Sequence, residues 1–155
     1  MLAVPRYRHV LLAYDGSPAA ELALEHAVAL AMVYRARLEI VAVVAPAPAF
    51  AWAAPGGPRV VHDASQEDLS ARLAAAADAI PDDLPVRTRL LEGDPARELV
   101  RAARDGGHDL IVMGSRGRGR ASAALLGSVS NHVMHESAVP VIVVHRPDDE
   151  PDLAA

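Results

Sequence analysis

The chain has 155 residues, 52% of them apolar, a formal net charge of −5 and no cysteine. That is enough for one domain with a sizeable core and too little for two; without cysteine, disulfides, thiolate metal sites and thiol catalysis are excluded. The charge is spread rather than blocked, which argues against a nucleic-acid binder working through a basic face. All fifteen basic residues are arginine, so the lysine of a P-loop is missing. The longest unbroken apolar run, residues 27–34, is far short of the ~20 residues that cross a bilayer. The first residues lack a signal-peptide pattern, so a cytoplasmic location and no membrane partner are expected.

In chain order, residues 10–14 form a short apolar run, a first strand, ending at Asp15-Gly16-Ser17-Pro18, where Ser17 can cap a helix and Pro18 can open it. Residues 19–34 place Leu22, Leu24, Ala27, Val28, Leu30, Ala31 and Val33 at helical spacing, with Glu21 and Glu25 on another face. Residues 38–44 return to a β-branched run, the second strand. Residues 45–58 hold Pro46, Pro48, Pro55, Gly56, Gly57 and Pro58 around Phe50 and Trp52, a composition that breaks both periods and reads as a long loop. Phe50 and Trp52 suit a lid or a partner contact, but simple packing of the loop onto the domain is the preferred reading. Ser65-Gln66-Glu67-Asp68 reads as the next helix start, with Ser65 as cap and Asp68 in support, continuing through Leu69, Leu73, Ala76 and Ile80 to Pro81.

Residues 86–91 are expected as a third strand, and Gly93-Asp94-Pro95 introduces a helix over 96–104 that Gly106-Gly107 stops. A fourth strand at 109–113, a helix from 127 to about 137 and a fifth strand at 139–144 follow. The acidic, Pro-rich tail 147–155 is expected to be disordered. Strands that alternate with helices and are nearly continuous apolar runs imply an α/β domain with a parallel sheet covered on both faces. Right-handed crossovers give an open five-stranded sheet of order 3-2-1-4-5, a Rossmann-like arrangement that binds ligands where the strand order reverses, between the first and fourth strands.

The chemistry concentrates there. Val112-Met113-Gly114-Ser115-Arg116-Gly117-Arg118-Gly119-Arg120 joins glycines to alternate arginines, and Gly127-Ser128 begins a helix whose first amides are natural anion donors. Asp15, just past the first strand, and Gly114, just past the fourth, face the same crevice. A Gly-x-Gly-x-x-Gly fingerprint is absent after the first strand. Taken singly, Gly114 and Gly117 serve as well in a tight turn, Ser128 as a helix cap and Asp15 as a cap shared with Ser17; taken together they point to a nucleotide. Of the loop arginines, Arg116 is the one expected to meet a phosphate.

The pattern Gly114-x2-Gly117-x9-Gly127-Ser128, with Asp15 after the first strand, resembles the nucleotide-binding pattern of the universal stress protein family, over residues 6–146. The resemblance implies the adenine nucleotide alpha hydrolase-like form of the fold and an ATP site, with ADP or AMP as alternatives and Mg²⁺ as companion. In that site Gly114 and Gly117 admit ribose and phosphate, Asp15 lies near the ribose and is the possible Mg²⁺ contact, and Gly127, Ser128 and Val129 give amides to the phosphates. Ala13 and Val43 line the adenine at strand ends, and Met113, Arg116 and Ser130 complete the set. It also implies a homodimer through Val141, Ile142, Val143 and Val144, an apolar edge open to pairing. No catalytic residues are assigned, since no P-loop lysine, carboxylate pair or positioned Gln or His accompanies the loop. The expected role is a nucleotide-dependent regulatory module in the stress response; a slow Mg²⁺-dependent ATP hydrolase and a nucleotide-free scaffold of the same fold are the alternatives. His132 and His135, three apart on a helix, lack an obvious third ligand and read as surface or capping residues rather than a metal site.

Overall fold

A computed structural model of the chain describes residues 1–118 and 126–147. The elements are β1 (His9–Ala13), α1 (Pro18–Tyr34), β2 (Arg37–Val44), a short 3₁₀ turn (Ala49–Ala53), α2 (Gly57–Asp78), β3 (Val86–Glu92), α3 (Pro95–Asp105), β4 (Leu110–Gly114), α4 (Ser128–Glu136) and β5 (Val141–Val144). The strands form one parallel sheet in the order β3-β2-β1-β4-β5, the order expected from the alternation. β1 pairs with both β2 and β4, so the reversal of strand order falls between β1 and β4.

Alternation along the central strands divides the core in two. Val10 and Leu12, with Leu38, Ile40, Leu110 and Val112, face α1 and α2, whereas Leu11 and Ala13, with Val41, Ile111 and Met113, face α3 and α4. Strands buried on both faces need apolar residues at every position, and this is why they lack polar alternation in the sequence. α1 presents Ala20, Ala23, Ala27 and Ala31 to the sheet. These short side chains let the helix axis approach closely, and the large residues of β1, β2 and β4 fill the space between. Ser17 caps α1 by accepting from the Ala20 amide at 3.2 Å, and Asp94 caps α3 by accepting from the Arg97 amide at 3.0 Å.

The expected start of α2 at Ser65 is corrected. The helix begins at Gly57, Gly56 at φ 82° turning the chain into it and Pro58 lying in its first turn. A proline there loses only an amide that has no partner inside the helix, so Gly56-Gly57-Pro58 marks a helix entry rather than the end of a loop. Ser65 is therefore interior, and its hydroxyl donates back to the Val61 carbonyl at 2.8 Å, a bond that competes with the helix ladder instead of capping it. The expected packing of Phe50 and Trp52 is also corrected: they stand 76% and 77% exposed on the 3₁₀ turn. The expectations for Gly119, Arg120 and residues 148–155 lie outside the described residues.

The two serine and aspartate positions separate by measurement. Asp94→Ala, which removes a true cap, is expected to lower stability by about 1 kcal/mol, whereas Ser65→Ala should change it by less than about 0.5 kcal/mol in either direction. Urea unfolding of both variants checks this, and a loss at Ser65 as large as that at Asp94 would contradict an interior Ser65.

Candidate functional site

Parallel strands bring the carboxyl ends of β1, β2 and β4 to one edge of the sheet, beside the first turn of α4. A cavity of about 650 Å³ opens there. Ala13 and Asp15 reach it from the end of β1, Val43 from β2, and Met113, Gly114, Arg116 and Gly117 from β4 and the turn beyond. Gly127, Ser128, Val129 and Ser130 border it from the start of α4, so every residue singled out in the sequence for this site lines one cavity. A further wall escaped the sequence reading: Pro46, Ala47 and Pro48 after β2, with Val61, His62, Ser65 and Leu69 of α2. It is hidden in the sequence because the loop expected over residues 45–58 and the helix start expected at Ser65 leave out the first turns of α2.

The glycines act through close approach. Gly114, Gly117 and Gly127 are absent from the positive-φ positions, but a β-carbon on Gly114 would stand 2.8 Å from the Ala19 carbonyl carbon, and one on Gly117 would stand 2.8 Å from Asp15 Oδ2. Gly114 thus lets β4 run onto the first turn of α1, and Gly117 lets the loop close over the Asp15 carboxylate. Asp15 joins the two halves of the crevice: Oδ1 accepts from the Ser17 amide at 2.9 Å and Oδ2 from the Arg118 amide at 3.2 Å. Two further bonds hold the loop: the Gly127 amide donates to the Ser115 carbonyl at 2.8 Å, and Ser130 Oγ donates to the Gly114 carbonyl at 2.9 Å. Ser130 is buried, and its hydroxyl positions the loop.

The start of α4 differs from those of α1 and α3. Its N-cap is Gly127, which offers no side-chain acceptor, so Ser128 is the first helical residue rather than the cap. The amides of the first turn, at Ser128, Val129 and Ser130, therefore meet the cavity without a side-chain cap, at the positive end of the helix dipole. Arg116 and Arg118 add positive charge on the facing loop. Arg118 Nη1 lies 2.7 Å from Asp68 Oδ2, and Arg72 Nε lies 3.1 Å from the same carboxylate. Arg72 and Arg118 together hold the Asp68 carboxyl below its ordinary pKa. This bridge links α2 to the glycine loop across the cavity. Next to it, the Tyr14 hydroxyl donates to Glu21, and burial, with that bond, raises the phenol above its usual pKa.

Two histidine expectations resolve differently. His132 and His135 are exposed on α4 and do not gather with a third ligand among the described residues. His62, not singled out in the sequence, reaches the cavity wall from α2, its Nε2 3.6 Å from Glu92 Oε2. Among the described residues no helix is long and apolar enough to cross a membrane.

The chain matches the Universal stress protein family over residues 6–145. It is 38% identical over 143 residues to a universal stress protein of Mycobacterium bovis, an alignment that covers 92% of this chain and 47% of that protein. The chain thus spans about half the length of this relative. Among solved structures, it is similar to a universal stress protein of Methanocaldococcus jannaschii with a TM-score of 0.80 and 27% identity, covering 92% of this chain and 98% of the other. It is also similar to a universal stress protein solved in complex with cAMP, with a TM-score of 0.60 and 26% identity, covering 91% of this chain and 99% of that one. The strand order, the paired glycines after β4, the uncapped start of α4 and these matches agree: the chain belongs to the universal stress protein family.

Proposed function

We propose that this chain is an ATP-binding member of the family, acting in the cytoplasm as a homodimeric regulatory module of the stress response whose state follows nucleotide occupancy. The observation that carries this reading is the uncapped first turn of α4, which together with the adjoining glycine loop borders a 650 Å³ cavity, a volume in the ordinary range of small-molecule sites. The relative in complex with cAMP supports an adenine nucleotide as the guest. Adenine would lie against Ala13, Val43 and the apolar wall of Pro46, Val61 and Leu69, and the ribose beside Asp15 and Met113. The phosphates would meet the amides of Ser128, Val129 and Ser130, the Gly127 amide, expected from the sequence to join them, being held by the Ser115 carbonyl, with Gly114 and Gly117 allowing the approach and Arg116 adding charge. Mg²⁺, if it accompanies ATP, would be held between the phosphates and Asp15.

The dimer would form at β5, the sheet edge beyond β4. Because the Ile111 amide donates to the Pro140 carbonyl and the Ser115 amide to the Val144 carbonyl, alternation turns the amides of Val141 and Val143 away from β4. That leaves them free for a second chain.

Calorimetric titration should show ATP binding, and Gly117→Ala should weaken it at least tenfold, because its methyl group displaces the Asp15 carboxylate or the loop. No heat with either ATP or AMP, from protein with an intact far-UV spectrum, would refute the reading. Asp68→Ala should act in the opposite sense, tightening ATP binding severalfold by releasing Arg118 toward the phosphates; an unchanged affinity would mean that Arg118 takes no part. Val143→Pro should leave the β4 ladder intact but block pairing at the edge. Sedimentation equilibrium should then find a monomer where the parent chain is a dimer, and a variant that still dimerises would place the interface elsewhere.

A further inference from the structure

At the opposite end of the sheet from the cavity, about 13 Å away along β1, three side chains converge that the nucleotide site does not use. His9 opens β1, Glu39 lies within β2, and His108 ends the connection from α3 to β4. His9 and Glu39 share strand parity with Leu11 and Val41, so both point to the face under α3. His108 closes over them from that connection. One ligand atom from each of the three residues lies within 4.8 Å of the others. His108 Nε2 stands 2.8 Å from Glu39 Oε2, and the two imidazoles stack with centroids 3.8 Å apart.

Burial makes this cluster unusual. The His108 side chain is 0% exposed and that of Glu39 10%, yet neither ring nitrogen of His108 makes a well-directed hydrogen bond. Nε2 is close to the carboxylate in distance but poorly aligned with it. A buried polar group without a directed partner is costly, and residues elsewhere are shaped to keep this one in place. A β-carbon on Gly106 would fall 2.5 Å from His108 Cε1 and 2.9 Å from the Ala102 carbonyl oxygen. Only glycine there lets the ring settle against the end of α3.

We propose that His9, Glu39 and His108 form a binding site for a divalent transition-metal ion, Zn²⁺ by its donor set. Two imidazoles and one carboxylate are a zinc donor combination that leaves a fourth position for water. Donor atoms around a tetrahedral zinc ion stand about 3.3 Å apart, and the three here already lie within 4.8 Å of one another. Arg89 Nη2, 3.2 Å from Glu39 Oε2, neutralises the carboxylate. Its side chain is 37% exposed, and it can turn to solvent when a cation takes its place. The ion would clamp β1, β2 and the start of β4 at the edge remote from the nucleotide.

Calorimetry of untagged, chelator-stripped protein with Zn²⁺ tests this, with the visible spectrum of added Co²⁺ as a second readout. One ion per chain is expected, with an intense Co²⁺ spectrum of tetrahedral type and a rise in Tm on adding Zn²⁺. His9→Gln, at a half-buried position, and Glu39→Gln should each weaken Zn²⁺ binding at least tenfold and remove the rise in Tm. Arg89→Met should bind severalfold tighter. The double variant His132→Ala/His135→Ala and the variant Asp15→Asn should both bind as the parent does. Absence of Zn²⁺ binding, or binding that survives His9→Gln and disappears with His132 and His135 or with Asp15, would overturn the proposal. Since His9→Gln removes a ligand outside the deep core, its far-UV spectrum separates loss of the site from loss of the fold.

Discussion

The structure depends on one constraint: the central strands have no solvent face. Val10, Leu11 and Leu12 of β1 and Ile111 and Val112 of β4 are wholly buried, with α1 and α2 on one side and α3 and α4 on the other. A strand so placed can carry polar chemistry only at its ends, since an unpaired polar group within it would lose its water without compensation. Parallel pairing sorts those ends. All five carboxyl ends fall on one edge, and there Asp15, Gly114 and the start of α4 meet. All the amino ends fall on the other, where His9 and His108 meet. Glu39 is the exception that shows the rule, a carboxylate within an apolar strand held by Arg89 on one side and His108 on the other.

Close approach is the second consequence. The edge is usable as a site only because the chain is thin where it must be. α1 rests on the sheet through alanines, and Gly114 brings β4 within contact of Ala19. The turn after β1 and the loop after β4 are then near enough for one carboxylate, that of Asp15, to accept from both. In these hydrogen bonds neutral amides donate to a carboxylate, an arrangement stronger than a neutral pair, and they fix the loop before any ligand arrives. A site set up in this way avoids part of the ordering entropy that binding otherwise costs.

The sequence was most legible where one physical rule acts alone. Strand order follows from the alternation of apolar runs with helical periods, and the site residues of β4 and α4 follow from glycines at a strand end facing a helix start. Legibility failed where two rules compete. Gly56-Gly57-Pro58 carries the signal of a turn and also that of a helix entry, and composition alone favours the turn, whereas the chain enters the helix there, with Gly56 at φ 82° and Pro58 in the first turn. Ser65 likewise has the residue type of a cap, yet it lies where packing has already committed the backbone to helix. Phe50 and Trp52 are apolar and were expected to pack, but a five-residue 3₁₀ turn has too little inward face to bury both. Glu39 had a signal that was passed over: a single acid inside the run Leu38-Glu39-Ile40-Val41 must either end the strand or find a buried partner. His108, far along the chain, gave no sign of being that partner, because only the parallel pairing of β1 with β2 and β4 brings them together.

The same packing limits how occupancy of the cavity can be felt elsewhere. Interiors at this density move between discrete arrangements rather than deforming smoothly, and the central strands are wholly buried between two helical layers. A response to a ligand must therefore run through walls of the cavity that are not part of the sheet. Two qualify. One is α2, tied to the loop after β4 by the Asp68–Arg118 bridge, whose carboxylate is exposed enough to exchange partners. The other is the segment after β2, where Pro46, Ala47 and Pro48 line the cavity and Phe50 and Trp52 present apolar surface to solvent. These two walls adjoin, because the 3₁₀ turn packs against α2.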